Sequence, residues 1–239
     1  EGQASLTIAE YENAYGNVTL IWDGANGTTW DNGAALNWHV PGTPPGSAYF
    51  LDGDAVLFRD GAAYHTIEIV EEVVPAAVVA SNETENYTFS GTEVISGDGT
   101  LTKQGAADLV AHWQRLRHGD TILAGGELRW EAGDYNVHPT LGIGDGSITI
   151  SNNARLHLRD VVNSGQRITV INDVMIGAGG GRISVTGPAL QGILGTFSGA
   201  FTGEGALALE GNGGNAAELI LTGENSGFAG TLTILPSGG

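Results

Sequence analysis

The sequence predicts an all-β chain folded as a parallel β-solenoid, with a Trp-rich region at its N-terminal end. Three observations predict this. Helix formers are scarce, and short runs of Val, Ile, Thr and Leu lie between Gly, Asn, Asp and Ser clusters. Gly accounts for 39 of 239 residues, against an average usage of about 7%. A nine-residue phrase is written twice, GDGTLTKQG at 97–105 and GEGALALEG at 203–211. Several later segments alternate apolar and polar residues with the period of two that half-buried strands require.

Taken in order, the N-terminal residues contain two alternating stretches, SLTIAEY and NVTLIW. Trp22, Trp30 and Trp38 follow at eight-residue spacing, then the Pro/Gly loop GTPPGS at 42–47, then a strand–turn–strand pattern around Asp52-Gly53-Asp54. From His65 short strands recur as HTIEIV, AAVVAS, NYTFSG and EVISG. These features divide the chain into an N-terminal strand and Trp-rich capping region, 1–64, and a solenoid, 65–239. Large aromatics bury extensive area, so the three Trp are expected to cover the open end of the coil. A sugar-stacking platform on Trp30 and Trp38 is the alternative.

The duplication extends beyond the opening phrase, over 97–122 and 203–232. It pairs Ala106 with Ala216, Asp108 with Glu218, Leu109 with Leu219, Val110 with Ile220 and Thr121 with Thr231. Internal repetition of this kind marks solenoids, in which no unit buries its apolar face alone. Leu109, Trp113 and Leu116 have helical spacing, but the matching segment carries Thr222-Gly223 and Asn225-Ser226-Gly227, which disfavour a helix. Strand followed by turn is therefore expected in both copies.

In SITISNNARLHLRDV, 147–161, Ile148 and Ile150 share a face, an Asn-Asn turn follows, and Leu156 and Leu158 resume the pattern. The next stretch repeats it with Ile168, Val170, Val174, Ile176, Ile183 and Val185. Strands this short suit coils of about 20 residues, stacked about 4.8 Å apart. The two copies of the phrase then sit several coils apart.

The run GDGTLTKQGAADLV…GDTILAGGELRW resembles the autotransporter-associated β-strand repeat, also called the passenger-associated transport repeat. LGIGDGSITISNNARLHL resembles the strand pair that follows such a repeat, and TTWDNGAALNW with GDAVLF resembles the segment that begins such arrays. The resemblance covers most of residues 22 to 235. The first copy departs from the motif at His112-Trp113-Gln114-Arg115, where an L-x-G-x-N turn is usual. The resemblance implies a right-handed parallel β-helix in a secreted or surface-displayed bacterial protein. It also implies a structural place for Lys103.

The formal charge is −18, from 27 acidic against 9 basic residues. Such a chain repels nucleic acid and anionic membranes, and neither partner is expected. No apolar run approaches the roughly 18 residues of a membrane span. The absence of Cys excludes disulfides and thiolate metal sites. The first residue is Glu1, as expected of a chain whose signal peptide has been removed.

Asp52 and Asp54 offer hard oxygen ligands on a turn and are the candidate Ca²⁺ ligands, although Asx-Gly is also ordinary turn chemistry. The six His are scattered, and no G-x-S-x-G elbow occurs. A uronate lyase needs a basic residue beside clustered acids, and Lys103 is the only lysine. No catalytic residue or cofactor is expected.

The reading is a non-enzymatic extracellular structural protein that associates with itself head to tail, or an adhesin-like passenger. Its bond would join a strand carrying Leu6 and Ile8 to an open coil carrying Leu232 and Ile234. A carbohydrate-binding module for surface glycans and a β-helix polysaccharide-degrading enzyme are the alternatives.

Overall fold

Strands stack on strands along one axis, and among the described residues no α-helix forms. The computed structural model describes residues 19–112, 115–132, 143–160, 167–187, 194–211 and 218–235. Two long ladders run through it. The first, ten-stranded, starts at Trp38–His39 and Thr19–Trp22. It then passes through Ala55–Arg59, Ala77–Ser81, Thr100–Gln104, Thr121–Leu123, Ile148–Ile150, Val174–Ile176, Phe201–Gly203 and Gly227–Phe228.

The second ladder, nine-stranded, holds Thr29–Trp30, Thr66–Ile69, Tyr87–Gly91, Asp108–His112 and Glu127–Ala132, then Ala154–Asp160, Gly181–Thr186, Leu207–Gly211 and Leu232–Leu235. A third side is built from Ile95–Ser96 with Leu116–Arg117, and from Arg167–Val170, Leu194–Phe197 and Glu218–Leu221. All pairings between these strands are parallel except Thr19–Trp22 with Trp38–His39. The molecule is a parallel β-solenoid.

The inward residues form continuous columns. Leu20, Val56, Val78, Leu101, Thr121, Ile148, Val174 and Phe201 follow one another in register on the first ladder. On the second, Tyr87, Leu109, Leu128, Leu156 and Ile183 do the same. Each fully buried Leu or Ile contributes about 1.5–3 kcal/mol relative to exposure. Every inward residue expected from the alternation between Ile148 and Val185 is buried, from Ile148 and Ile150 through Leu156, Leu158, Ile168, Val170, Val174, Ile176 and Ile183. The expected Asn-Asn turn is present, with Asn152 and Asn153 at φ 52 and 59. Asn tolerates this left-handed region better than most side chains.

Three expectations need correction. The boundary at residue 64 does not interrupt the ladders, because Ala55–Arg59 pairs with Ala77–Ser81 and Thr29–Trp30 with Thr66–Ile69. Described residues up to 64 are thus the first rungs of the same coil. Rungs are also uneven: Leu101 meets Thr121 after 20 residues, but Leu128 meets Leu156 after 28.

Finally, the duplicated phrase does not mark the same place in the coil. Its first copy supplies Thr100–Gln104 to the first ladder, whereas the second supplies Leu207–Gly211 to the second ladder. The phrase encodes one side of a coil and its corner. In each copy the first glycine, Gly97 or Gly203, has positive φ (89 and 98). The next, Gly99 or Gly205, lies so close to the preceding coil that a Cβ would sit 2.3 Å from Pro75 O or 2.0 Å from Gly177 O.

Lys103 points inward between Ala80 and Leu123 in register. Its Nζ donates to Gln104 O (2.7 Å) and Gly105 O (3.0 Å), closing the corner from within. Burial pushes the amine down to about 8, against the pull of Asp108 and Glu83.

Candidate functional site

The outward side chains of the second ladder form a polar grid over three rungs. In Glu127–Ala132 the inward Leu128 and Trp130 leave Glu127, Arg129 and Glu131 facing out. Strand register aligns Glu127, Arg155 and Arg182 in one row across successive rungs, Arg129, His157 and Ser184 in a second, and Glu131, Arg159 and Thr186 in a third. Asp108 and Glu210 extend the grid by one rung at either end. Four of the chain's nine Lys and Arg residues gather here, in a molecule of formal charge −18.

Glu127 is the hub. Arg129 Nε donates to its Oε1 (2.9 Å), Arg155 Nη2 forms an ion pair with its Oε2, and His157 Nδ1 lies 2.8 Å from Oε1. The residue is only 3% exposed. Burial alone would raise its carboxyl, but the His157 hydrogen bond and the charges of His157, Arg155 and Arg129 prevail and hold it at about 2. The far nitrogen of the same imidazole, His157 Nε2, lies 2.6 Å from Thr186 Oγ1. One rung on, Glu210 accepts from Ser184 Oγ (2.7 Å) and pairs with Arg155 and Arg182. Arg129 Nη2 also reaches Asp108 (2.8 Å), and Arg159 reaches Glu131 (3.0 Å).

Apart from Asp108, which the duplication pairs with Glu218, none of these side chains was singled out by sequence reasoning, although the signal is present. ELRWEA, ARLHLRD and GRISVT alternate inward apolar residues with outward polar ones, and their outward halves carry the grid. The search for a base beside clustered acids considered lysine alone, whereas this grid uses arginine.

The predicted sites fall elsewhere. Trp30 and Trp38 are fully buried, so neither offers a ring face to a sugar, and the stacking platform is corrected to core packing. Their centroids lie 5.3 Å apart, with Trp22 5.0 Å from Trp38 and Phe50 5.4 Å from Trp30, in edge-to-face contacts.

Asp52 and Asp54 serve the turn itself. Asp52 accepts from Val74 N (2.8 Å) and Asn32 Nδ2 (3.1 Å), and Asp54 from Leu51 N (3.0 Å). Among the described residues no group of three or more His, Cys, Asp or Glu is placed to hold a metal.

Leu232 and Ile234 lie on the last described strand of the second ladder and are 47% and 77% exposed. Leu6 and Ile8 lie outside the described residues. A shallow hollow of about 330 Å³ opens beside Gly144, Asp145, Ser147 and Ile171. Its Asn172 side chain is already spent, accepting from Ile143 N and donating to Gly144 O and Gly146 O. No helix among the described residues is long and apolar enough to cross a membrane. No family model, curated protein or solved structure matches the chain.

Proposed function

We propose that the chain is an extracellular structural solenoid that associates with further copies of itself end to end. One observation carries this reading. Ile234 continues the register of Leu209 and Ile183, and Leu232 that of Leu207, yet both are exposed. Among the described residues no rung covers these inward residues, which leaves apolar surface and strand-edge N–H and C=O groups available for pairing. The period-two spacing of Leu6 and Ile8 equals that of Leu232 and Ile234. A strand carrying the first pair on one copy can thus cover the second pair on another by β-augmentation. Such a heterologous contact does not close and propagates as a fibre. The resemblance to autotransporter-associated repeats supports the extracellular setting.

Light scattering over a concentration series tests the proposal. The chain is expected to gain mass with concentration, and Ile234→Asp to remain monomeric with an unchanged circular dichroism spectrum. A strictly monomeric parent chain at high concentration would overturn it.

A further inference from the structure

From the line Thr186–His157–Glu127 we infer a hydrolytic site for carboxylic esters on the outer face of the second ladder. This goes beyond the architectural reading and does not depend on it. The geometry is that of an activated hydroxyl: a nucleophile within hydrogen-bond reach of a base, and the base oriented by a third group.

Each part has a physical reason. Glu127 is ionised and only 3% exposed, so its Oε1 requires His157 Nδ1 to carry the proton. That tautomer leaves the Nε2 lone pair facing the Thr186 hydroxyl at 2.6 Å. Glu127 is already paired with two guanidinium groups, of Arg129 and Arg155. Charge balance in the grid therefore does not require the imidazole, whose placement between carboxylate and hydroxyl is left to serve proton transfer. Arg159 stands directly across from Thr186 in the ladder, and its side chain is 47% exposed. Among the described residues only its Nη1 is engaged, with Glu131. The remaining N–H groups can face the negative oxygen that forms when an ester carbonyl is attacked.

The steps balance. Thr186 Oγ bonds to the acyl carbon as its proton passes to His157 Nε2, and the imidazolium is held by the Glu127 carboxylate. The imidazolium then protonates the departing alkoxide as the carbon–oxygen bond breaks, leaving an acyl-threonine. Water, deprotonated by His157, attacks the acyl carbon, and the proton returns to Oγ as the acid leaves. Thr186 and His157 are the catalytic residues, and Glu127 is a positioning residue.

The test uses the whole chain with p-nitrophenyl acetate as substrate and a fluorophosphonate probe mapped by mass spectrometry. The probe is expected on Thr186. Thr186→Ala and His157→Ala should lower hydrolysis at least about 100-fold, with labelling of Thr186 abolished in His157→Ala. Thr186→Ser should retain both activities. Glu127→Gln should lower kcat without raising KM, a split that mere loosening of the sheet would not give. Circular dichroism of Thr186→Ala and Thr186→Ser confirms that they fold. Ile234→Asp should hydrolyse the ester like the parent, which separates this inference from end-to-end association. Hydrolysis undiminished in folded Thr186→Ala, labelling at another residue, or no labelling at all overturns the proposal.

Discussion

The two ends of the coil meet water in opposite ways. At the N-terminal end the chain turns back on itself, and Trp38–His39 pairs antiparallel with Thr19–Trp22. Trp22, Trp30, Trp38, Phe50 and Phe58 fill the interior beneath that cap with almost no exposure. Asp23 ties the adjoining loop down, accepting from Gly46 N (2.8 Å) and lying 2.9 Å from His39 Nδ1. At the other end Gly227–Phe228 and Leu232–Leu235 are the last described strands, and all four residues of the latter are exposed. In a solenoid each rung is stabilised only by its neighbours. The same apolar column is therefore strong where a cap or another rung covers it and weak where none does.

Substitutions at the two ends should expose this asymmetry. Trp30→Ala removes one of the three buried indole rings of the closed end and should cost about 3–5 kcal/mol, read from the denaturant midpoint. A loss below about 1 kcal/mol would break the comparison. In the middle rungs the next largest effect is electrostatic. Glu127 is held at about 2 rather than the ordinary 4.5. A depressed carboxylate stabilises the fold above the unfolded value, and that contribution is lost as pH falls from about 4.5 to about 2. It is on the order of 3 kcal/mol. Stability measured from pH 7 down to pH 2 should therefore fall more steeply for the parent chain than for Glu127→Gln, and equal slopes would contradict the network. The smallest effect belongs to the open end. Leu232→Ala in dilute monomer should cost less than about 1 kcal/mol, because the side chain is already half exposed.

Much of the coil was legible in the sequence because inward positions follow a period of two. Ile148, Leu156, Val174 and Ile183 could be assigned to the interior from alternation alone. The Asn152-Asn153 turn could be placed because few side chains other than Gly accept its conformation. The duplicated phrase misled on phase, since each side of a coil needs the same ingredients. A corner glycine, an inward Leu and an outward polar residue serve equally well on the first ladder at Leu101 and on the second at Leu207. Buried area favoured the Trp residues as a cap but left a platform open, because spacing alone does not tell an inward ring from an outward one.

The polar grid was not legible for another reason. Glu127, His157 and Thr186 are separated by about a rung each, and rungs vary from 19 residues between Asp108 and Glu127 to 39 between Thr29 and Glu68. Their meeting depends on a register that only the stacked coils fix.

Hydrogen exchange at 227–235, measured at low and high protein concentration, tests most directly the proposal that the exposed strand Leu232–Leu235 is covered by another copy. The account predicts rapid exchange of these amides in dilute solution and slow exchange in concentrated solution, with Leu128–Trp130 protected in both. Equal exchange of 227–235 at the two concentrations would contradict it.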